Sequence, residues 1–240
     1  MKEKIYTIAI SEAFEQDSFC PFCHLYKKLE EESVKYTLGP AMMEPDFRMV
    51  TNEKGFCKTH MRELCGERNA LSLALVMETH IAKLKGLFES EQKSEKKSVF
   101  RRKNEKEDDF ISRLKKVSQT CAICEKVEHT FAQYVDTFVF MLKNEDEFLD
   151  KVLNSEGFCM EHFARLAEKA QKNMSSKDFE KLFEPIIKLQ KSRLEKHYGY
   201  IQKFEESFDY RNAGKKTDVP KDILLTTGKL LNGEFKPKEK

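Results

Sequence analysis

Much of this chain repeats apolar residues every three or four positions, the signature of amphipathic helices. Leu73, Met77, Ile81, Leu84 and Phe88 predict a helix between Leu71 and Phe88 with that stripe in the core. A second stripe, from Phe179, Leu182, Phe183, Ile186 and Ile187 to Leu194, Ile201 and Phe204, predicts a long final helix. Pro185 should begin or kink it, because an interior proline costs about 3 kcal/mol. Earlier, Pro21 suits a first helical position and Gly39-Pro40 a stop, which bounds the first long helix. Met42 to Met49 reads as a loop followed by a short helix, and Gly55 breaks the chain before a helix starting near Cys57. The same order returns later: a helix from about Cys121 to Lys143, a short one from Glu145 to Leu153, and another start at Gly157-Phe158-Cys159. Only Ile5 to Ile10 alternates, and it reads as an extended arm, with a short edge strand as the alternative. Ser11 would then cap a single helical turn through Glu15.

The pattern predicts an all-α protein of two pseudo-repeated halves, residues 1–90 with the N-terminal arm and residues 110–208. Between them, residues 91–109 hold seven Lys or Arg and six Asp or Glu, a solvated linker with little to bury. Beyond Phe208 the periodicity fails. Residues 209–240 read as an extended tail with a short apolar helix from Ile223 to Leu231, lying across the surface of the body.

Composition agrees with a helical protein: 35% of residues are charged and 40% hydrophobic, and glycine and proline are scarce. The net charge of +2 gives no global attraction to nucleic acid or anionic membrane. Lys96-Lys97 and Arg101-Arg102-Lys103 could touch phosphate, but acidic neighbours blunt that reading. No stretch approaches the roughly 20 apolar residues of a membrane span, and the amino terminus lacks the apolar core of a secretory signal. The expected compartment is the cytoplasm, where reduced cysteines favour metal ligation over disulfides.

The chemistry is in the cysteines. Gly55-Phe56-Cys57-Lys58-Thr59-His60 recurs as Gly157-Phe158-Cys159-Met160-Glu161-His162, and each copy follows a Cys-x-x-Cys pair, Cys20/Cys23 and Cys121/Cys124. The separations nearly match, 34 residues from Cys23 to Cys57 and 35 from Cys124 to Cys159. Residues three apart in a first helical turn face one side. Three thiols and one imidazole per copy form a closed four-ligand set for zinc, so two structural zinc ions per chain are expected. In-order pairing joins Cys20 and Cys23 with Cys57 and His60, and Cys121 and Cys124 with Cys159 and His162. The spacing leaves open whether each set closes within its own repeat or across the two. Reduced core cysteines, a redox switch releasing the metal, and an iron–sulfur cluster are the competing readings.

His24 and His129 fall outside the repeat register and read as exposed or supporting residues. His80 and His197 lie in long helices, where a core or surface role is the default. Cys65 has no counterpart and reads as a small buried apolar residue. No Ser/His/Asp set, phosphate loop or carboxylate pair anchors an enzyme reading.

Lys4-Ile5-Tyr6-Thr7-Ile8, Cys20-Pro21-Phe22-Cys23, Leu38 to Asp46, Thr51 to Cys57 and Phe208-Asp209-Tyr210-Arg211-Asn212 together resemble an uncharacterised bacterial family of about this length, a domain of unknown function. The resemblance spans most of the chain and implies no activity. The expected function is a zinc-stabilised cytoplasmic helical module that binds another protein or acts as a scaffold. Phe138, Phe140, Met141 and Phe148 are candidates for an apolar groove, with core filling as the plainer role. The alternatives are a thiol-based redox or metal-responsive regulator and a nucleic-acid-binding protein.

Overall fold

Every regular element among the described residues, 2–95, 110–209, 211 and 218–235, is helical in the computed structural model. In chain order the helices are α1 (Lys2–Glu15), α2 (Pro21–Leu38), α3 (Pro45–Lys54), α4 (Lys58–Gly66), α5 (Ala70–Glu95), α6 (Phe110–Gln119), α7 (Ala122–Asn144), α8 (Phe148–Leu153), α9 (Met160–Asn173), the single turn α10 (Ser176–Asp178), α11 (Glu184–Glu206) and α12 (Ile223–Asn232). A 3₁₀ turn, Pro40–Met43, follows α2, and a π turn, Phe179–Phe183, precedes α11. Most starts and stops follow the punctuation of the sequence: Pro21 opens α2, Pro45 opens α3, and Gly55 ends α3 with a positive φ of 59°. Pro185 lies in the first turn of α11, and the wider π turn just before it accommodates the ring and the missing N–H.

The chain forms two compact units, one comprising Met1–Lys27 with Phe131–Lys240 and the other Lys28–Thr130. The first unit is built on aromatic packing. Phe22 meets Phe131, Phe138 and Phe158 edge-on, with ring centroids 5.8, 5.5 and 6.0 Å away. Phe14 joins through Phe138, Phe148 and Phe158. Phe138, Met141 and Phe148 are buried, so they fill the core, while Phe140 is exposed.

In the second unit α3 packs on α5 and α6. Arg48 fixes the first of these contacts, donating to Leu75 O at 3.0 Å and to Thr79 Oγ1 at 2.9 Å. Asn69 donates to Leu38 O at 2.7 Å and accepts from Ser72 N, tying the end of α2 to the start of α5.

Two expectations change. Residues 5–10 are neither arm nor strand but part of α1. Ile10 and Ala13 are buried whereas Ile8 is 61% exposed, an arrangement that fits a helical period and not an alternating one. The stripe on α5 is not core: Met77, Ile81 and Phe88 are exposed, and the buried face is marked by Ser72 and Val76. The helix meets α3 around Leu75 and Thr79, each two positions from the nearest stripe residues, where Arg48 donates to a carbonyl and a hydroxyl. The expected tail helix forms as α12 and lies on the body against α9 and α11, with Ile223 and Leu230 buried and Leu224 and Leu231 exposed. The basic clusters Lys96-Lys97 and Arg101-Arg102-Lys103 lie outside the described residues.

This assignment of core and surface can be checked by thermal unfolding. Phe138→Ala should cost about 3–5 kcal/mol, as truncation of a fully enclosed phenylalanine does, whereas Ile81→Ser should stay within about 0.5 kcal/mol of the parent.

Candidate metal centres

Four helix starts carry the eight predicted ligands. Cys20 precedes Pro21 and Cys23 lies in the first turn of α2; Cys121 and Cys124 occupy the same places on α7. Cys57 and Cys159 are the N-cap residues of α4 and α9, with nearly identical backbones at φ −70°, ψ 167° and φ −70°, ψ 160°. His60 and His162 follow three residues on. The Gly-Phe that precedes each N-cap forms a tight turn requiring glycine, with φ 59° at Gly55 and 87° at Gly157. A Cβ on Gly55 would lie 2.7 Å from His80 Nε2, and one on Gly157 3.3 Å from Gln190 Oε1.

The structure exchanges the ligand pairs between repeats. Cys20 and Cys23 meet Cys159 and His162 in the first centre, and Cys57 and His60 meet Cys121 and Cys124 in the second. In-order pairing is therefore replaced by pairing between the halves, although every predicted residue falls in one of two Cys3His sets. Within each set the donor atoms all lie within 4.8 Å of one another. In the first centre Cys23 Sγ is 3.6 Å from Cys159 Sγ, and His162 Nδ1 is 3.2–3.7 Å from the three sulfurs. In the second, Cys57 Sγ is 3.8 Å from Cys124 Sγ, and His60 Nδ1 is 3.3–3.4 Å from the sulfurs. A tetrahedron with metal–sulfur bonds of about 2.3 Å and a metal–nitrogen bond of about 2.0–2.1 Å has edges of about 3.8 Å between sulfurs and about 3.6 Å between sulfur and nitrogen. The sets fit a tetrahedral ion, and each could hold one.

The backbones behind the ligands are clamped in two ways. At the second centre Ala122 N donates to Gly55 O at 3.0 Å and Thr120 Oγ1 to Lys54 O at 3.1 Å, joining the two ligand turns directly. At the first centre a buried arginine does this. Arg193 donates from Nη2 to Phe19 O at 2.9 Å and from Nη1 to Phe158 O at 3.2 Å, the carbonyls just before Cys20 and Cys159. Gln190 closes a two-way amide pair with Phe158, donating to its carbonyl at 2.9 Å and accepting from its N–H at 3.2 Å. Sequence reasoning missed both residues. The available signal was their register: positions 186, 190, 193 and 197 lie on one face of α11, so Gln190 and Arg193 are polar residues at core positions.

Other supports differ as well. His60 Nε2 lies 3.5 Å from Glu30 Oε1, the carboxylate-behind-histidine arrangement that orients a metal-binding imidazole. His162 is instead enclosed by the rings of Phe131, Tyr26 and Phe22. His80 donates to Asn52 O behind Gly55, and His197 pairs with Thr227 at 2.9 Å. His24 is half-buried and His129 exposed, both outside the two sets. Cys65 is exposed, contrary to the expectation of burial, because α4 turns it away from Leu64, which takes the core position.

Protons shared among the donors respond to this crowding. Burial lowers the His60 pKa, but hydrogen bonding to Cys121 and Glu30 outweighs it and raises the value to about 10. For His162 burial is again opposed, by Cys159 and Cys20, and the value rises to about 9. Burial would raise Cys121, yet contact with His60 brings it down to about 6. Cys23 is pushed up by hydrogen bonding to Cys159 and Cys20, and Cys124 by burial and the neighbouring Cys121 charge.

A family comparison accompanies this geometry. The chain belongs to a family of unknown function, DUF6062, whose model matches residues 1–238. No curated protein and no solved structure matches it. The family match covers both ligand sets and the tail helix α12, so the features that build the centres fall within the family's span.

With both imidazoles protonated at pH 7 in the metal-free chain, an entering ion must displace those protons. Zinc binding should therefore release protons and weaken as the pH falls, which calorimetry in buffers of different ionisation enthalpy would measure. Gly55→Ala should cost about 1–3 kcal/mol from its positive φ and from collision with His80, and should weaken binding of an added divalent metal at the second set while leaving affinity at the first unchanged.

Proposed function

We propose that the chain is a zinc-stabilised helical protein of the cytoplasm that works by binding another protein and not by catalysis. The observation carrying this reading is the closure of two Cys3His sets at tetrahedral spacing. Thiolate with imidazole is a donor mixture that zinc prefers, and four protein ligands leave no open position for a substrate. Apparent binding energies in small zinc modules are about 10–16 kcal/mol, comparable with the total stability of a domain, so the ions serve to hold the fold. A protein partner is supported by the stripe on α5: Met77, Ile81 and Phe88 are exposed along one helical face, and Ile111 on α6 is exposed too. No helix among the described residues is long and apolar enough to cross a membrane.

A second reading, a thiol-based or metal-responsive regulator, is favoured by the partial exposure of Cys57 and Cys124. Hydrogen peroxide would take two electrons from a pair of zinc-bound thiolates and two protons from solvent, so that a sulfur–sulfur bond forms, the oxygen–oxygen bond breaks to give two waters, and the ion leaves.

Metal analysis with thiol titration tests the main reading. Two zinc ions per chain are expected, with six thiols protected and Cys65 alone reacting; a chain without zinc sinks it. Crosslinking should recover a partner that is lost in Ile81→Asp/Phe88→Asp. Turnover of a metabolite by the pure protein with no partner recovered would count against binding. Zinc retained under mild peroxide would count against the regulator.

A further inference from the structure

The two centres share a donor set but not an environment. In the first, Cys20 is 1% exposed, Cys23 6%, Cys159 0% and His162 5%. The turn after α12 lies directly over its sulfurs: a Cβ on Gly233 would stand 3.7 Å from both Cys23 Sγ and Cys159 Sγ. Phe235 packs back on Gly228 of α12, so closely that a Cβ there would meet its ring at 2.9 Å, and this holds the turn down. Arg193 adds a buried positive charge beside a group that, with a divalent ion, three thiolates and a neutral imidazole, carries about −1. Its guanidinium also clips the carbonyls before Cys20 and Cys159.

The second centre lacks such cover among the described residues. Cys57 and Cys124 are both part-exposed, on two different helix starts. The carboxylate of Glu30 lies 3.5 Å from Nε2 of its histidine, which strengthens the imidazole ligand and adds negative charge. The weak point is thus the pair of accessible sulfurs, not His60. A bound ion is exchanged when an incoming ligand reaches it or when a thiolate is captured by an electrophile, and both steps need access to sulfur.

Resting on the zinc reading above, we propose that the Cys57–His60–Cys121–Cys124 centre is the exchangeable one. It yields its ion to competing soft ligands and reacts with thiol-directed electrophiles, while the Cys20–Cys23–Cys159–His162 centre releases its ion at least tenfold more slowly. The turn at Gly233 is the cover that separates the two behaviours.

The experiment uses the full-length two-zinc protein carrying Cys65→Ser, challenged with an excess of a chromophoric chelator and, separately, with N-ethylmaleimide followed by peptide mass mapping. In the second reaction sulfur adds across the maleimide double bond, water supplies the proton to the neighbouring carbon, and the zinc–sulfur bond breaks. Zinc should leave in two phases differing at least tenfold in rate, with Cys57 and Cys124 alkylated as the first ion departs. Phe235→Ala, at an exposed position whose ring still packs on Gly228, should speed the slow phase several-fold and leave the fast phase unchanged. Loss of both ions in one phase, or early labelling of Cys20, Cys23 or Cys159, overturns the ordering while leaving two zinc sites in place. A slow phase unmoved by Phe235→Ala overturns the role of the turn. A chain that never carries two ions overturns the zinc reading, and this proposal with it.

Discussion

A tetrahedral donor set that closes only when two distant helix starts meet is the constraint on which most of this structure depends. At the first centre the sulfurs of Cys23 and Cys159 are 136 residues apart in the chain, and at the second Cys57 and Cys124 are 67 apart. Bringing such segments together costs loop-closure entropy, although that cost grows only slowly with loop length. A bound ion would repay it with an energy on the scale of a domain's whole stability. The helices are arranged to serve that closure. Each ligand pair occupies a first turn, where residues three apart face the same side and free N–H groups favour thiolate.

What surrounds the donors is specific to each centre. The Gly-Phe-Cys turn recurs, yet its glycine faces His80 at the second centre and Gln190 with Arg193 at the first. The ligand turns of the second centre are joined by their own backbones through Ala122 N and Gly55 O. Those of the first are joined through a buried guanidinium, which supplies charge as well as hydrogen bonds. A duplicated motif has thus been fitted into two unlike pockets, one lined by aromatic rings and closed by the C-terminal turn, the other backed by a carboxylate and left partly open.

The folding consequences extend beyond the ligands. Phe158, between Gly157 and Cys159, is fully buried and meets Phe14, Phe22 and Phe138. The motif that supplies Cys159 to the Cys3His set also supplies a core aromatic, so the candidate metal centre and the hydrophobic core of the first unit are one construction. The helix α12 belongs to it too, since its buried Leu230 precedes the turn over Cys23 and Cys159.

The sequence by itself determined the helical class, most helix boundaries and the eight donors, because proline and glycine punctuation, helical periodicity and ligand spacing are local properties. It did not determine which pair meets which: equal spacing in both repeats satisfies in-order and exchanged pairing alike, and only packing chooses. The same reason explains the other differences. Ile5 to Ile10 alternates locally, but burial of Ile10 and Ala13 against the first unit makes it a helix. The α5 stripe looks like core until packing against α3 buries a different face, the one with Ser72 and Val76, where Arg48 reaches Leu75 O and Thr79 Oγ1. Arg193 and Gln190 stand at core register on α11, but what they bind is decided only when the chain brings the turns of Cys20 and Cys159 to them. Local chemistry named the ligands; the tertiary structure decided their partners, their charge balance and their exposure, because each depends on residues far apart in the chain.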